Sequence, residues 1–347
     1  MATSVFENPT VTAFTVDLDY DFHWNDLEPT RSLSAINVVG LTIYALVFLV
    51  GVPGNAAVAW VTGAEARRTV NAVWFLHLSV ADLLCCLSLP LVAVPLLRDG
   101  DWPLGDFACR LVPSLILLNM FASVLLLTAI SADRCALALR PVWCQNHRSS
   151  RMAWAVCGAS WVLALLLTVP SFIYRTIHVE YYPSRTECVQ DYGGNTGTEN
   201  AVAAVRFTAG FLVPLAVISS CYGVLLVRVW GRRATRSPKT VKVVVAVVVG
   251  FFLCWCPYQV NGLLLASTKP LSELHERALA VDSLTVSIAY INSCLNPVIY
   301  VVAGRGFQHR FRRSLRSVLW RALAEDSVGR DSKSITRSTV DEKSVGL

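Results

Sequence analysis

Residues 111–132 read LVPSLILLNMFASVLLLTAISA, and the next three are Asp133-Arg134-Cys135. The 22 residues hold no Asp, Glu, Lys or Arg. A helix crosses a bilayer with about 20 predominantly apolar residues, so this stretch reads as a membrane span. Working outward, residues 32–64, 152–174, 207–227, 243–268 and 283–304 are also charge-free, and 71–97 is interrupted only by Asp82. Together they predict seven spans, at 37–62, 71–97, 107–133, 152–174, 200–227, 241–268 and 281–303. Composition agrees. Of 347 residues, 54% are hydrophobic and 16% charged, with mean hydropathy +0.51. An average soluble domain carries about 25% charged residues, so an ordinary soluble protein and a disordered chain are both excluded.

The predicted fold is an all-α membrane protein, a seven-transmembrane helix bundle with a short amphipathic eighth helix. No internal repeat is visible, which disfavours a transporter built from two repeated halves. Residues 1–36 form an acidic arm without the basic and apolar regions of a signal peptide. The bundle is expected over 37–303. In 304–323, Phe307, Phe311, Leu315 and Leu319 recur every four residues with arginines between them. That spacing reads as a helix lying on the inner leaflet, or as a merely basic segment. Residues 324–347 are Ser/Thr-rich and charged, and read as a disordered tail.

Charge is divided between the two sides. The segments 64–70, 140–151, 228–242 and 304–323 hold seventeen Lys and Arg, whereas those on the other side hold six. The positive-inside rule then puts the C-terminus in the cytoplasm and the N-terminus outside. The total of +6 therefore splits into a basic inner side, suited to anionic lipid and a signalling partner, and an acidic outer side, suited to a basic protein ligand.

Ionisable residues inside spans are costly, and each is a functional candidate by default. Asp82 lies mid-span. In a packed bundle it would be near Asn55, Ser123, Asn292 and Asn296. Such a ring either holds a small cation such as sodium or clips helices together by hydrogen bonds. Asp133 and Arg134 sit at the inner end of the third span, where they can neutralise each other. Arg134 reads either as a snorkelling arginine or as a contact for a partner entering from the cytoplasm. Pro90, Pro170, Pro214, Pro257 and Pro297 each free a backbone carbonyl and permit a kink. Cys109 and Cys188 both face the oxidising side, so a disulfide between them is expected. No Cys/His group has zinc spacing, and no nucleophile–base–orienter set falls on one face, so neither a structural metal nor an enzyme is expected. Nothing points to nucleic acid.

Taken together, these positions resemble the rhodopsin-like G-protein-coupled receptors. The match covers Gly54-Asn55, Leu78-Ser79-Val80-Ala81-Asp82, Cys109, Asp133-Arg134-Cys135, Trp161, Pro214, Tyr222, Cys254-Trp255-Cys256-Pro257-Tyr258 and Asn296-Pro297-Val298-Ile299-Tyr300. The resemblance implies that Arg134, Tyr222 and Tyr300 form the pocket for a G-protein helix, with Asp133, Asn296 and Pro297 in the same machinery. Trp255 would sense ligand from above, and Asp82 would hold an allosteric sodium ion; no other cofactor is implied. The chain departs from the family at Cys135, where the motif has tyrosine, and at Arg236-Ser237-Pro238-Lys239, where no acidic residue stands to pair with Arg134.

The ligand class narrows further. The seventh span has no lysine, which excludes a retinal Schiff base, and Ile116 stands where amine receptors carry aspartate. Arg175, Arg206 and Asp282, with Asp191 and Glu199 nearby, suit a peptide end: carboxylate against arginines, basic group against Asp282. Tyr20 lies in Asp17-Leu18-Asp19-Tyr20-Asp21, similar to tyrosine-sulfation sites, on an arm able to steer a basic protein. The only Asn-x-Thr pattern, Asn8-Pro9-Thr10, is blocked by its proline.

Phe48–Asn55, Pro141–Asn146, and the stretches 232–248, 300–308 and 331–341 resemble the complement anaphylatoxin receptors. That resemblance implies C5a, the anaphylatoxin cut from the fifth complement component, as ligand. It also implies chemotactic and inflammatory signalling through inhibitory-type G proteins. Receptor kinases would act on Ser314, Ser317, Ser327, Ser332, Ser334 and Ser338, and arrestin would follow. A non-signalling scavenger for the same ligand is the nearest rival, but it would lack Arg134. A formyl-peptide receptor would have aspartate where this chain has Leu117.

Overall fold

The computed structural model describes residues 33–67, 69–181, 184–231, 238–269 and 271–303. The chain divides into units 1–33 and 34–347, and every helix and strand described belongs to the second. Tyr20, the eighth-helix segment and the six tail serines lie outside the described residues.

The helices are α1 (Ala35–Glu65), α2 (Val70–Leu97), α3 (Gly105–Leu139), a short α4 (Pro141–His147), α5 (Ser150–Ile173), α6 (Thr196–Phe207), α7 (Val213–Gly231), α8 (Pro238–Ser267) and α9 (Glu273–Ala303). Seven spans are long and apolar enough to cross a membrane, with α6 and α7 forming one of them. Their starts follow local chemistry. Ser34, Thr69, Ser149 and Asn195 each accept a backbone N–H three residues on, which satisfies one of the donors a helix start leaves free.

The ends of the spans depart from the sequence reading. Helix α3 continues to Leu139, so Asp133 and Arg134 lie inside it rather than at its terminus. Helix α9 starts at Glu273, eight residues before the predicted 281. Absence of charge marks only the part of a helix immersed in lipid. A helix continues into water wherever its caps and ion pairs allow, as Glu273–Arg277 does over one turn. The helices run unbroken through Pro90, Pro170, Pro257 and Pro297. At Pro214 the pattern changes. A π-turn, Thr208–Leu212, joins α6 to α7, with the Val213 N–H donating to Thr208 O. The wider turn relieves the clash a proline ring makes with the carbonyl four residues back.

Polarity is inverted relative to a soluble protein. Leu49, Trp60, Val162, Leu166 and Leu253 are exposed, whereas Asn55, Asp82, Asn119, Ser123, Gln259, Asn292 and Asn296 are buried. That arrangement fits lipid outside and paired polar groups inside. Helix α3 is the pillar: 67% of its most apolar stretch is buried, against 22–39% in the other spans. Close approaches depend on glycine. A Cβ at Gly54 would stand 2.9 Å from Pro297 Cβ, and one at Gly51 2.5 Å from Cys86 Sγ.

Between α5 and α6 the chain forms a feature absent from the sequence reading, an antiparallel hairpin of β1 (Arg175–Tyr181) and β2 (Ser184–Gln190), with Arg175 opposite Gln190. A Cys109–Cys188 disulfide ties β2 to the start of α3. The Trp102 N–H donates to Thr186 O at 2.7 Å, and Arg185 donates to Asp99 O at 2.9 Å. The hairpin is thus fixed across one end of the bundle.

Gly54→Ala should lower the thermal midpoint of the detergent-solubilised protein through an overpacking cost of about 1–3 kcal/mol, because the neighbour it meets is a rigid proline ring. A midpoint equal to wild type would show that α1 and α9 can part freely.

Candidate functional site

Under the hairpin lies a cavity of about 580 Å³ walled by α2, α3, α6, α8, α9 and β2. Its lining includes Arg175, Glu199, Arg206, Tyr258 and Asp282, five of the residues singled out in the sequence. Asp191 is not among them. It is exposed, and its carboxylate accepts the Gly193 N–H at 2.7 Å in the turn after β2. A turn with two successive positive-φ glycines, Gly193 and Gly194, needs such a clamp.

The charges inside the cavity are held apart. Among the described residues, none of Arg175, Arg206 and Asp282 is in an ion pair. Arg206 Nη1 lies 3.5 Å from Tyr258 Oη, with the guanidinium 5.3 Å from the centre of that ring. It packs against Gly262, where any side chain would displace it. Arg175 Nη1 reaches the sulfur of Cys188 at 3.9 Å, and its Nε is buried without a partner. Burial pushes the Arg175 guanidinium below the ordinary arginine range, while Tyr258, Asp282 and Tyr192 pull it back. Asp282 Oδ1 accepts from Asn261 Nδ2 at 2.9 Å. An arrangement of two cations and one anion, unspent on each other in a partly dry cavity, is suited to a ligand end bearing both signs.

Below the cavity, Trp255 is fully buried. Its ring meets Tyr258 at 5.8 Å and Phe251 at 6.0 Å. Phe251 in turn meets Phe252, and Phe252 meets Phe211 beside the π-turn. Aromatic contacts therefore run down α8 from the charged cavity into the core.

Mid-bundle, Asp82 is fully buried, and its Oδ2 accepts from Asn296 Nδ2 at 2.7 Å. With its amide turned to satisfy both neighbours, Asn119 donates to Asp82 Oδ1 at 3.3 Å and accepts from Ser293 Oγ at 3.2 Å. Ser123 Oγ lies 3.3 Å from the Asn119 amide. Asn55 Nδ2 donates to Gly51 O and Ser293 O at 3.0 and 2.7 Å, and its Oδ1 is buried without a partner. Asn292 is buried, with its Nδ2 unpaired. The sequence reading missed Asn119 and Ser293. The signal for both was available: each is a polar residue inside a charge-free span, within a turn of a residue already singled out.

At the end opposite the hairpin, Asp133 does not neutralise Arg134. Its carboxylate binds Arg148, at 2.6 and 3.0 Å. Two guanidinium groups, Arg134 and Arg148, share Asn71 Oδ1 at 2.8 and 2.9 Å. Adjacent residues on a helix point about 100° apart, so Asp133 faces the α4–α5 connection while Arg134 faces inward. Tyr222 has its hydroxyl buried without a partner. Tyr300 lies in α9, with its side chain outside the described residues. Away from these clusters, Trp161 Nε1 donates to His77 Nδ1 at 3.1 Å, so His77 serves as an interhelix contact between α2 and α5.

Seven spans, a disulfide-fixed hairpin over a charged cavity, and a polar core running to an arginine at the opposite end define a membrane receptor. Residues 54–300 match the family model of the 7 transmembrane receptor (rhodopsin family), and the chain belongs to that family. It is a multi-pass plasma-membrane protein and not an enzyme. Its similarity extends to particular receptors. It is 54% identical over 337 residues to the C5a anaphylatoxin chemotactic receptor 1 of Canis lupus familiaris, covering 96% of each chain. It is 56% identical to that of Oryctolagus cuniculus and 54% to that of Homo sapiens, each over 312 residues, 90% of this chain and 89% of the relative.

Asn71→Ala removes the acceptor shared by Arg134 and Arg148. Ligand-independent nucleotide exchange on a co-expressed G protein should rise at least about threefold, the factor by which losing ~0.7 kcal/mol shifts a two-state balance. Basal exchange at the wild-type level would remove Asn71 from the restraint on Arg134.

Proposed function

We propose that this chain is a cell-surface receptor for C5a, with the N-terminus and hairpin outside the cell and the Arg134 end in the cytoplasm. The observation that carries this reading is the cavity in which Arg175, Arg206 and Asp282 form no ion pair among the described residues. The names of relatives 52–56% identical supply the ligand. The ligand's terminal arginine enters the cavity. Its carboxylate meets Arg175 and Arg206, its guanidinium meets Asp282, and Tyr258 forms the floor. Glu199 and the acidic arm, with Tyr20 as the candidate for sulfation, attract the basic body of the ligand.

Engaging Arg206 disturbs its contact with Tyr258, and that motion passes to Trp255. The cytoplasmic response is exchange on an inhibitory-type G protein at Arg134, Tyr222 and Tyr300. The exposed Val142 and Trp143 of α4 offer an apolar contact beside them. Receptor kinases acting on the tail serines then recruit arrestin, and the cellular outcome is chemotaxis and inflammatory activation. The segment 304–323 rests on the inner leaflet. Asp82, with oxygens from Asn55, Ser123, Asn292 and Asn296, fits a sodium ion that favours the resting state. Asn296 Oδ1 accepts no protein hydrogen, so an oxygen is available to such an ion.

Labelled C5a should bind intact cells expressing the chain and stimulate nucleotide exchange on an inhibitory-type G protein. Binding without exchange would point to a scavenger, and a response to formyl peptide alone to a different ligand. Arg206→Ala should weaken a C-terminal C5a peptide by about 1.5–3 kcal/mol; unchanged potency refutes its role. Asp82→Asn should abolish any effect of sodium concentration on agonist affinity, whereas a sodium effect that survives would place the ion elsewhere.

A further inference from the structure

The cavity poses a physical problem that the ligand reading does not solve. Arg175, Arg206 and Asp282 are within electrostatic reach of one another. In a poorly hydrated cavity opposite charges attract strongly, yet none of the three is in an ion pair among the described residues. Something must hold each away from the others. Tyr258 takes Arg206, and the sulfur of Cys188 takes Arg175. For Asp282 the holder is Asn261.

Asn261 is only 4% exposed, on a helix whose membrane-spanning part is mostly apolar. A buried amide costs stability unless it is bonded, so its presence needs a reason. Its Nδ2 donates to Asp282 Oδ1, which links α8 to α9 and engages that oxygen with a neutral donor. Oδ2 has no protein donor among the described residues and belongs to a residue lining the cavity. Asn261 and Tyr258 are three apart, on one stripe of α8, so a single helix face secures both the cation from α6 and the anion from α9.

We propose that Asn261 is a specificity-determining positioning residue. It prevents Asp282 from collapsing onto Arg206 and Arg175, and so keeps both signs of charge available to a ligand that carries a terminal carboxylate and a guanidinium. The role rests on the assignment of this cavity to the terminal arginine of C5a. Without Asn261 the carboxylate pairs internally, and the cavity loses its preference for both ligand charges at once. A residue that merely packed would leave those preferences intact while lowering all affinities together.

The test is competition binding on intact cells with three C-terminal C5a peptides: one ending in arginine, one in citrulline (the neutral isostere), and one in arginine amide. Ratios of affinities do not depend on how much receptor reaches the surface. Wild type should prefer the arginine acid over each of the other two by about 10–100-fold, the range for a charged hydrogen bond. Asn261→Leu, of similar volume, should reduce both ratios at least ~5-fold. Asn261→Gln, which keeps the amide donor, should restore most of each ratio, and Asn261→Ala should behave as Leu does. If wild type shows the preferences and both apolar variants keep them, Asn261 is only packing, and the cavity reading survives alone. If wild type shows no preference between the peptides, the cavity reading fails and this proposal with it.

Discussion

A polar group surrounded by lipid finds no water to bond with, so its partner must come from inside the bundle. Almost every specific contact here answers that requirement. Asp82 is bonded to Asn296 from α9 and, through its second oxygen, to Asn119 from α3. Asn55 of α1 bonds the carbonyl of Ser293. Ser88 and Tyr290 lie 3.2 Å apart between α2 and α9, and Ser114 reaches Ser171 between α3 and α5. Apolar packing cannot by itself choose a register in lipid, since lipid tails are as apolar as leucine. The polar pairs choose it, and the glycines at 51 and 54 let the backbones approach closely enough for those pairs to form.

The same requirement explains why α3 is the pillar. Among the described residues it is the only span whose most apolar stretch is mostly buried, and it touches all three regions of interest. Cys109 anchors the hairpin above the cavity, Asn119 and Ser123 belong to the Asp82 cluster, and Asp133 and Arg134 lie at the opposite end. Along α8 a row of ring contacts runs from Tyr258 through Trp255 to Phe251 and Phe252, while Gln259 and Asn261 tie the helix to Met120 of α3 and Asp282 of α9.

Charge-free intervals locate all seven spans because burial in lipid acts on every residue of a segment, leaving a signal that a single chain carries plainly. The ionisable residues that interrupt or border those intervals point to Asp82, Arg206 and Arg134 for the same reason. Two kinds of feature escape such a reading. Helix ends beyond the lipid, such as Leu139 and Glu273, depend on capping and ion pairs rather than on apolarity. Partnerships across helices depend on rotation about each axis, which no local pattern records. Adjacency in sequence pairs Asp133 with Arg134, yet its partner is Arg148, fifteen residues away. Asn261 and Asn71 stay hidden because an amide carries no charge and attracts no notice until its neighbour is known. The hairpin stays hidden because its β-branched residues lie inside a connection between spans, where apolarity carries no signal.

The amide at Asn71 also bears on how the resting arrangement is held without a carboxylate on α8 facing Arg134. A buried salt bridge would be strong but costly to break, because removing one partner strands a charge in a low-dielectric site. A neutral oxygen shared by two guanidinium groups is weaker, and Arg148 keeps Asp133 as its partner when that oxygen lets go. The restraint is therefore soft by construction. A tie of that strength suits a two-state element whose gap is only a few kcal/mol, small enough for a ligand's differential affinity to overcome. Arg134 at one end of the bundle and Arg206 and Asp282 at the other share one feature: each is tied to an amide or an aromatic hydroxyl, so a partner arriving from outside the bundle competes there against neutral groups.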